Sequence, residues 1–564
     1  MAKKIKLAVK AMASNDDTVV VWHYTEFIKD CWGFALFRKR KGESDAIAEP
    51  VPTSVGFESE PHQEGEKRPS TEWPLQRFMW TDYYVRQGDE VCYKVVPMIN
   101  VGDKLVKEDS RASNWSNWVK VHNGDQEVYY NRGLVASQFI ADHMLKVKTA
   151  ATPNPKLDDE LEVPSSSIRK FMGGTLVERL YKLLDDVKND SAITLYAALY
   201  ELNDTELIRR LNLIGKRANV ILANGAFGKD DLDPQAPNAK VLTKVRLTRR
   251  IVSSGHFAHN KFVVLTRKTN SVEKPFLVFT GSTNWTLNGL FKQANNAVVF
   301  NDDSIASYYF DEWKQILVDC KNDKGLYDKP FKTFNATVKV NKTQTVRTWF
   351  TPTAAFGDMI DARKLLNAAK EGILFLMFKP GNAGNETLYD EIISVSKKKK
   401  QLLVHGVINT DPGGKANPTI EFMNKGKIDK GSFQGVTKAN IKNSFSFWQA
   451  ELASPNVTIH SKLIVIDPFS ANPVVLTGSH NMGKKASKSN DDNLNILTND
   501  PDLAVAYAVH IMSVYHHYRW RYYRSNAGVK KWSGNIKDDK WQNWYWLAAK
   551  TANNRKELEF WWHE

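Results

Sequence analysis

HNKFVVLT at His259–Thr266 and HSKLIVID at His460–Asp467 are the stretches that decide how this chain folds. In each, a histidine and a lysine alternate at the start of an apolar run. Strand residues i and i+2 point to one face, so imidazole and ammonium emerge side by side while the alternate apolar residues anchor the strand. A second apolar run follows each, LVFT or VVLT, and leads into GSTN (Gly281–Asn284) or GSHN (Gly478–Asn481). A neighbouring strand of that kind brings a hydroxyl and an amide to the same place. The histidines and the Gly-Ser pairs are both offset by about 200 residues, which marks an internal repeat.

The repeat extends upstream. ITLYAALYEL (Ile193–Leu202), a helical DTELIRRLNLIGKRA and the strand NVILANG correspond to ILFLMFKP (Ile373–Pro380), LYDEIISVSKKKK and QLLVHGVIN. Alternating strands and helices predict α/β units, with a boundary between the copies near Pro330–Gln344. Before them, short β-branched and aromatic runs at Thr18–Trp22, Gly33–Arg38, Phe78–Val85, Val91–Ile99 and Trp115–Val121 predict an antiparallel β-sandwich of fibronectin III or Ig type. Gly42–Thr71 is read as a long polar loop. After them comes a helix at Leu503–Arg524 and a segment in which Trp520, Trp532, Trp541, Trp544, Trp546, Trp561 and Trp562 need a packing partner. The expected division is 1–128, a β-sandwich; 129–335 and 336–525, the two copies; and 526–564, a Trp-rich extension docked on the copies.

Composition bounds the partners. A hydrophobic content of 42% with 25% charged residues is ordinary globular usage. The net charge of +15 favours anionic partners, among them nucleic acid, phospholipid head groups and other phosphate esters. Three scattered cysteines, Cys31, Cys92 and Cys320, outline neither a disulfide framework nor a zinc site. No apolar run approaches a bilayer span. The N-terminus has basic residues and an Ala-x-Ala at Ala11–Ala13, but Lys10 interrupts its apolar stretch, so it is not read as a cleaved leader. A cytoplasmic setting is expected, with export by a specialised route still open.

Two facing clusters supply two histidines, two lysines and two asparagines. Covalent phosphodiester cleavage needs such a set: one neutral imidazole attacks phosphorus, the other protonates the leaving oxygen and then activates water, and the lysines and asparagines stabilise the equatorial oxygens. No metal or cofactor need be invoked. The segments resemble the HxK(x4)D…GSxN signature of the phospholipase D superfamily, duplicated over about 400 residues. The resemblance implies two α/β/α sandwich lobes and assigns His259, Lys261, His460 and Lys462 to catalysis. It assigns Ser282, Asn284, Ser479 and Asn481 to the phosphate, and gives Gly281, Gly478 and Asp467 structural places. The first copy departs from the pattern, with Thr266 where the signature has its Asp. Relatives carry a further acid after Gly-Ser-x-Asn that orients an imidazole. SNDDNLNIL puts Asp492 there, whereas QANNAVVF puts Asn295, a further phosphate-binding candidate, in its place. An amide raises imidazole basicity much less than a carboxylate, so the histidines are expected to be unequal. Similarity to two-lobed relatives makes His259 the nucleophile and His460 the general acid/base, provided Asp492 reaches across to His259; if it serves its own lobe, the roles reverse.

Three readings of function compete. A lipase acting on glycerophospholipids through a phosphohistidine is favoured by the single-chain duplication and by the aromatic tail, which suits peripheral membrane contact. A nuclease using the same two histidines is favoured by the basic charge. A phosphate-binding scaffold with a degenerate first lobe is suggested by Thr266 and Asn295. Other features are set aside as structural or solvent-facing rather than catalytic: His256 and His480 beside the motifs, His516 and His517 on the C-terminal helix, and the helix end Lys397–Lys400. Asn131–Gln138 is read as closing the domain junction.

Overall fold

A computed structural model of the protein describes residues 7–61, 66–122, 124, 126–133, 147, 156–226, 233–252, 255–321, 335–339, 344–381, 386–409, 433–437, 459–525, 534–546 and 548–563. It is a mixed α/β fold in which two small antiparallel sheets precede two large mixed ones. Strands β1 (Ala8–Ala13), β2 (Thr18–His23) and β7 (Met79–Asp82) make the first small sheet. The second is built from β3 (Cys31–Arg40), β4 (Glu49–Pro50), β8 (Glu90–Val101), β9 (Lys104–Lys107) and β10 (Val119–Lys120). Between them β5 (Pro52–Thr53) and β6 (Arg68–Pro69) pair as a ribbon inside the segment read as loop. Trp22 from one sheet and Phe34, Tyr93 and Val95 from the other share one core.

Two expectations shift here. The leader-like stretch folds as β1, in register with β2 from Ala8↔His23 to Ala13↔Thr18. Lys10, the residue that interrupted its apolar run, sends its ammonium to the carbonyls of Trp562 at 3.1 Å and His563 at 2.8 Å. The strand expected over Phe78–Val85 stops at Asp82 because the Asp82 carboxylate accepts from the Tyr84 N–H (2.9 Å), an Asx turn that leaves the ladder.

The first large sheet contains β11 (Glu127–Tyr130), β12 (Ile193–Leu199), β13 (Ala218–Ala223), β14 (Arg246–Arg250), β15 (Lys261–Thr269), β16 (Val272–Gly281) and β17 (Asn296–Phe300). The second contains β18 (Asn335–Lys339), β19 (Thr345–Phe350), β20 (Gly372–Met377), β21 (Leu403–Ile408), β22 (Phe433–Thr437), β23 (Lys462–Ile466), β24 (Val474–Gly478) and β25 (Asn493–Thr498). Their orders are β11-β17-β16-β15-β12-β13-β14 and β18-β19-β25-β24-β23-β20-β21-β22, so they match strand for strand once β18 is set aside as an extra edge. The senses match too: β12-β13-β14 and β20-β21-β22 run parallel, and β12–β15 and β20–β23 are antiparallel.

Period-two alternation decides what each face covers. Leu195, Ala197 and Leu199 of β12 face an outer core beneath the helices Ser167–Asn189 and Thr205–Ile214, while Ala198 faces inward. Leu374 and Leu376 of β20 face inward in the same way, and Ile373 and Phe375 face the outer helix Leu388–Lys398. The inward faces of both sheets meet in one core with the helices Asp303–Lys321 and Pro501–Ser525. The ends of the central strands therefore sit against each other, and the motif residues lie at those ends.

The aromatic tail docks more widely than expected. Trp561 joins the central core, but Trp541 inserts beside Phe34 and Phe78 of the N-terminal sheets and donates to the Cys31 carbonyl (2.9 Å). Trp520, Trp532, Trp544 and Trp546 have side chains outside the described residues. No described helix is long and apolar enough to cross a membrane.

Candidate active site

Register brings the two halves together. A bridge from Ala294 to Ile459 sets His460 against the loop before β17, and the matching bridge from Phe257 to Asn490 sets His259 against the loop before β25. The backbone N–H groups of His460 and Asp491 donate across the seam to Ala294 and Phe257, both at 2.9 Å. Each motif therefore completes its surroundings from the other sheet. His259, Lys261, His460 and Lys462 all lie at 4% exposure or less.

At the first half-site, Nδ1 of His259 lies 2.7 Å from Oδ1 of Asp492, so the acid does reach across. The carboxylate also accepts from Ser479 Oγ (2.7 Å) and Asn490 Nδ2 (3.0 Å). Burial pushes the Asp492 carboxyl up, but His259, His480 and Lys261 outweigh it and hold the group below the usual range. Asp492 is thus an acceptor only, His259 donates from Nδ1, and its Nε2 carries the free lone pair. Burial and the Lys261 charge press the imidazole down to about 4 against the pull of Asp492, so it is neutral near pH 7.

The second half-site repeats this geometry with an amide. Nδ1 of His460 lies 2.9 Å from Asn295 Oδ1 and 3.0 Å from the Ser282 carbonyl. Asn295 Nδ2 donates to the Gly289 carbonyl (2.8 Å), which fixes its oxygen toward the imidazole. Its N–H is in turn held by Asn131 Oδ1 at 2.7 Å. Burial, together with Lys462, Lys261 and His259, presses His460 well below the ordinary imidazole value. Each lysine ammonium donates to the carbonyl of its own histidine, Lys261 at 2.7 Å and Lys462 at 2.5 Å. Their charges are costly here. Burial brings Lys261 down to about 7, opposed by Asp492 and Glu201, and drives Lys462 well below its usual value. An aromatic ring backs each pair: Tyr200 lies 4.7 Å from both His259 and the Lys261 ammonium, and Phe378 lies 4.6 Å from His460 and 5.0 Å from Lys462.

The remaining candidates take these places. Ser282 and Ser479, expected at the phosphate, spend their hydroxyls on Asn295 and Asp492, both at 2.7 Å, and accept the N–H of Asn296 and Asn493. Asn295, expected at the phosphate, aligns an imidazole. His480 is fully buried: its Nδ1 accepts the Met482 N–H (2.9 Å), and its Nε2 faces Asp358 at 3.0 Å. His256 sits with Nδ1 3.3 Å from the Ser489 carbonyl, and His516 pairs with Glu557 at 3.1 Å. Asn131 does more than close a junction, since it holds Asn295, while its neighbour Arg132 pairs with Asp16; residues 134–138 lie outside the described residues.

Asp467 takes a structural place. Its carboxylate accepts the N–H groups of Lys370, Glu371 and Gly372 within 2.9 Å and anchors the start of β20. Thr266, its counterpart, turns its hydroxyl to the Thr194 carbonyl and Glu273. Asp190 serves the first sheet there by accepting from Ala192 N–H and pairing with Arg267, both at 2.9 Å. Gly281 and Gly478 are required by close approach: a Cβ would lie 2.3 Å from the Asn296 carbonyl oxygen and 2.2 Å from that of Asn493, at φ of 156° and 150°.

Three side chains escaped the sequence reading. Asn296 donates to Thr477 Oγ1 (2.8 Å), and Asn493 donates to Asn260 Oδ1 (3.0 Å), so each ties the sheets together. Glu201 accepts from Asn284 Nδ2 at 2.8 Å. Asn481 has no hydrogen-bond partner among the described residues, and its buried Oδ1 is unsatisfied. Among the described residues no three His, Cys, Asp or Glu side chains group to hold a metal ion.

Fold and site together define an α/β protein with a buried, cation-rich centre at the meeting of two like sheets. Residues 362–514, which carry the second half-site, match the family model described as "Cardiolipin synthase, PLD-like domain". The similarity to a PLD-like domain extends over that segment of the chain. No curated protein sequence matches it. Similar solved structures include phosphatidylserine synthase of Haemophilus influenzae Rd KW20 (TM-score 0.40, 11% identity, 61% of this chain and 84% of that one). Polyphosphate kinase from Porphyromonas gingivalis gives a TM-score of 0.38 at 10% identity over 88% of this chain and 75% of its own. Nuc, a phospholipase D family member from Salmonella typhimurium, gives 0.22 at 20% identity over 31% and 95%.

Proposed function

We propose that the two large sheets are two copies of one lobe preceded by a β-sandwich, and that the protein is a hydrolase cleaving glycerophospholipid phosphodiesters through a phosphohistidine. One observation carries the reading. Two histidines are each held at Nδ1 by an acceptor, which leaves each Nε2 bare, and two buried lysines have too little counter-charge around them. An anionic phosphodiester supplies that charge and raises the proton affinity of the lysines and of His460 on binding.

In the first step His259 Nε2 attacks phosphorus, the bond to the leaving alcohol breaks, and His460 Nε2 passes its proton to that oxygen. The imidazole becomes a cationic phosphoimidazolium, and Asp492 at its Nδ1 stabilises that charge. In the second step water attacks phosphorus, His460 takes its proton and His259 departs, leaving a phosphomonoester. Lys261, Lys462, Asn284 and Asn481 steady the equatorial oxygens.

The test is parallel incubation with phosphatidylcholine vesicles and with single- and double-stranded DNA, in the presence of chelator. Choline release that disappears in Lys261→Ala or Lys462→Ala supports the lipase. DNA cleavage without lipid turnover transfers the same chemistry to a nuclease, and turnover of neither sinks the proposal. Trapping with phosphorus-labelled substrate should place the label on His259; a label on His460 reverses the assigned roles.

A further inference from the structure

The matched sheets allow the half-sites to be compared position by position. Leu199 of β12 pairs with Lys261, and Met377 of β20 pairs with Lys462. One step on, Tyr200 corresponds to Phe378, and both rings lie under their lysines. Two steps on, the halves part company: Glu201 corresponds to Lys379. Lys379 is exposed at the surface, whereas Glu201 is largely covered.

We propose that Glu201 is a positioning residue of the first half-site, holding the Asn284 amide and supplying negative charge to Lys261 from a place where the other half has none. The inference rests on the function proposed above but has its own observations. Asn284 donates to Glu201 Oε2 at 2.8 Å, whereas Asn481, its counterpart, has no partner among the described residues. The Trp285 N–H also donates to the Glu201 carbonyl, so strand end and motif loop are tied twice. The fit is close: a Cβ on Gly225 would come within 3.2 Å of Glu201 Cγ.

Orientation and charge both follow. With one amide N–H committed to the carboxylate, Asn284 has its second N–H left for a ligand oxygen. Lys261 is surrounded by His259, Lys462, Asp492, Tyr200 and Glu201, of which Asp492 and Glu201 are the acids that favour its charged form. Without Glu201, Asp492, which already serves His259, would be left as the sole acid favouring the charged form of Lys261.

The experiment uses the full chain and has one arm that needs no turnover. Competitive labelling with acetic anhydride across pH, read by mass spectrometry on the peptide bearing Lys261, reports when that amine loses its proton. Glu201→Gln should shift the titration to lower pH by about one unit, the low end for losing a nearby opposite charge. Glu201→Asp should restore part of the shift, and Lys379→Gln should leave it unchanged. Where lipid or DNA is turned over, the alkaline limb of kcat/KM should move by the same amount. An unmoved Lys261 titration in a folded Glu201→Gln variant overturns the inference, whatever the activity. A moved titration in a protein that turns over neither substrate sustains it and sinks the proposed function instead.

Discussion

Replacing Asp492 with asparagine would give His259 the kind of partner that His460 already has. The substitution is nearly isosteric, and the surroundings can absorb it. The new amide can keep its oxygen where Oδ1 now accepts from His259 and Ser479, and turn its NH2 toward Asn490. Asn490 has a buried, unpartnered Oδ1, so flipping its own amide would satisfy that NH2. Orientation should survive while the charge is lost. The charge matters when the imidazole becomes a phosphoimidazolium. Opposite unit charges about 4 Å apart are worth roughly 4 kcal/mol at the effective dielectric that suits protein sites. Each 1.36 kcal/mol is about a factor of ten in rate, so kcat should fall about 10³-fold with KM little changed. The assay is single-turnover formation of the labelled phosphoenzyme, with circular dichroism to confirm the fold. A folded Asp492→Asn protein that forms the phosphoenzyme within about threefold of the wild-type rate would refute the reasoning.

Other outcomes follow from the same charges. Lys462 is 1% exposed and held well below its usual value by burial, so wild type loses stability as pH falls from the ordinary lysine range toward the folded value. Lys462→Met should abolish turnover yet raise thermal stability at pH 7 by roughly 1–3 kcal/mol; a destabilised variant contradicts this. In the free protein Lys261 titrates at about 7 and His259 at about 4, while His460, the proton donor, is pressed below the ordinary imidazole value, so kcat/KM should decline below pH 4 and fall on the alkaline side as His460 loses its proton and, above pH 7, as Lys261 does. Lys261→Arg should carry the alkaline limb to higher pH, and a profile flat to pH 9 would refute the assignment. Glu312 is fully buried with both carboxylate oxygens unpartnered, and burial raises it well above the ordinary range. A raised folded value means stability is lost as pH rises, so Glu312→Met should melt higher than wild type at pH 8 and by a smaller margin at pH 5. Gly478→Ala, whose Cβ would meet the Asn493 oxygen at 2.2 Å, should cost several kcal/mol in chemical denaturation.

How much of this was legible in the sequence depended on the range of the interaction. The two His-x-Lys strands and their Gly-Ser-x-Asn turns are local patterns, and alternation in β15 and β23 sufficed to pair imidazole with ammonium. Asp492 was found because an acid stands at a fixed distance after a motif, but its reach to His259 was left open, since the bridge of Phe257 to Asn490 that sets it joins distant parts of the chain. Glu201 was missed because ALYEL reads only as the polar end of a buried strand. The pairing of Leu199 with Lys261, sixty-odd residues away in the chain, puts it at the site. His480 could be set aside from the sequence, but its partner could not be named, because Asp358 lies far off in the chain on the helix Gly357–Ala368. β1 was absent from the expected strands, and the partners of its Lys10 are carbonyls at the other end of the chain.

The departures of the His259 segment from the signature then take on a different weight. Decay would leave orphaned groups where the acids used to be. Asn295 is not orphaned: its oxygen takes the same two donors, a serine hydroxyl and an imidazole Nδ1, that Asp492 takes on the other side. At Thr266 the hydroxyl is used, and Asp190 meets the neighbouring N–H and arginine. What changes is where charge resides. Asp492 and Glu201, the two acids felt by Lys261, lie on the His259 side, whereas His460 rests on an amide and a backbone carbonyl. On the proposed mechanism that division suits the chemistry. The histidine that becomes permanently cationic in the intermediate keeps the carboxylates. The histidine that must surrender a proton keeps neutral partners, which make it the stronger acid. A symmetric site would serve neither step as well, so the loss of one signature acid is better explained as a division of labour than as degeneration.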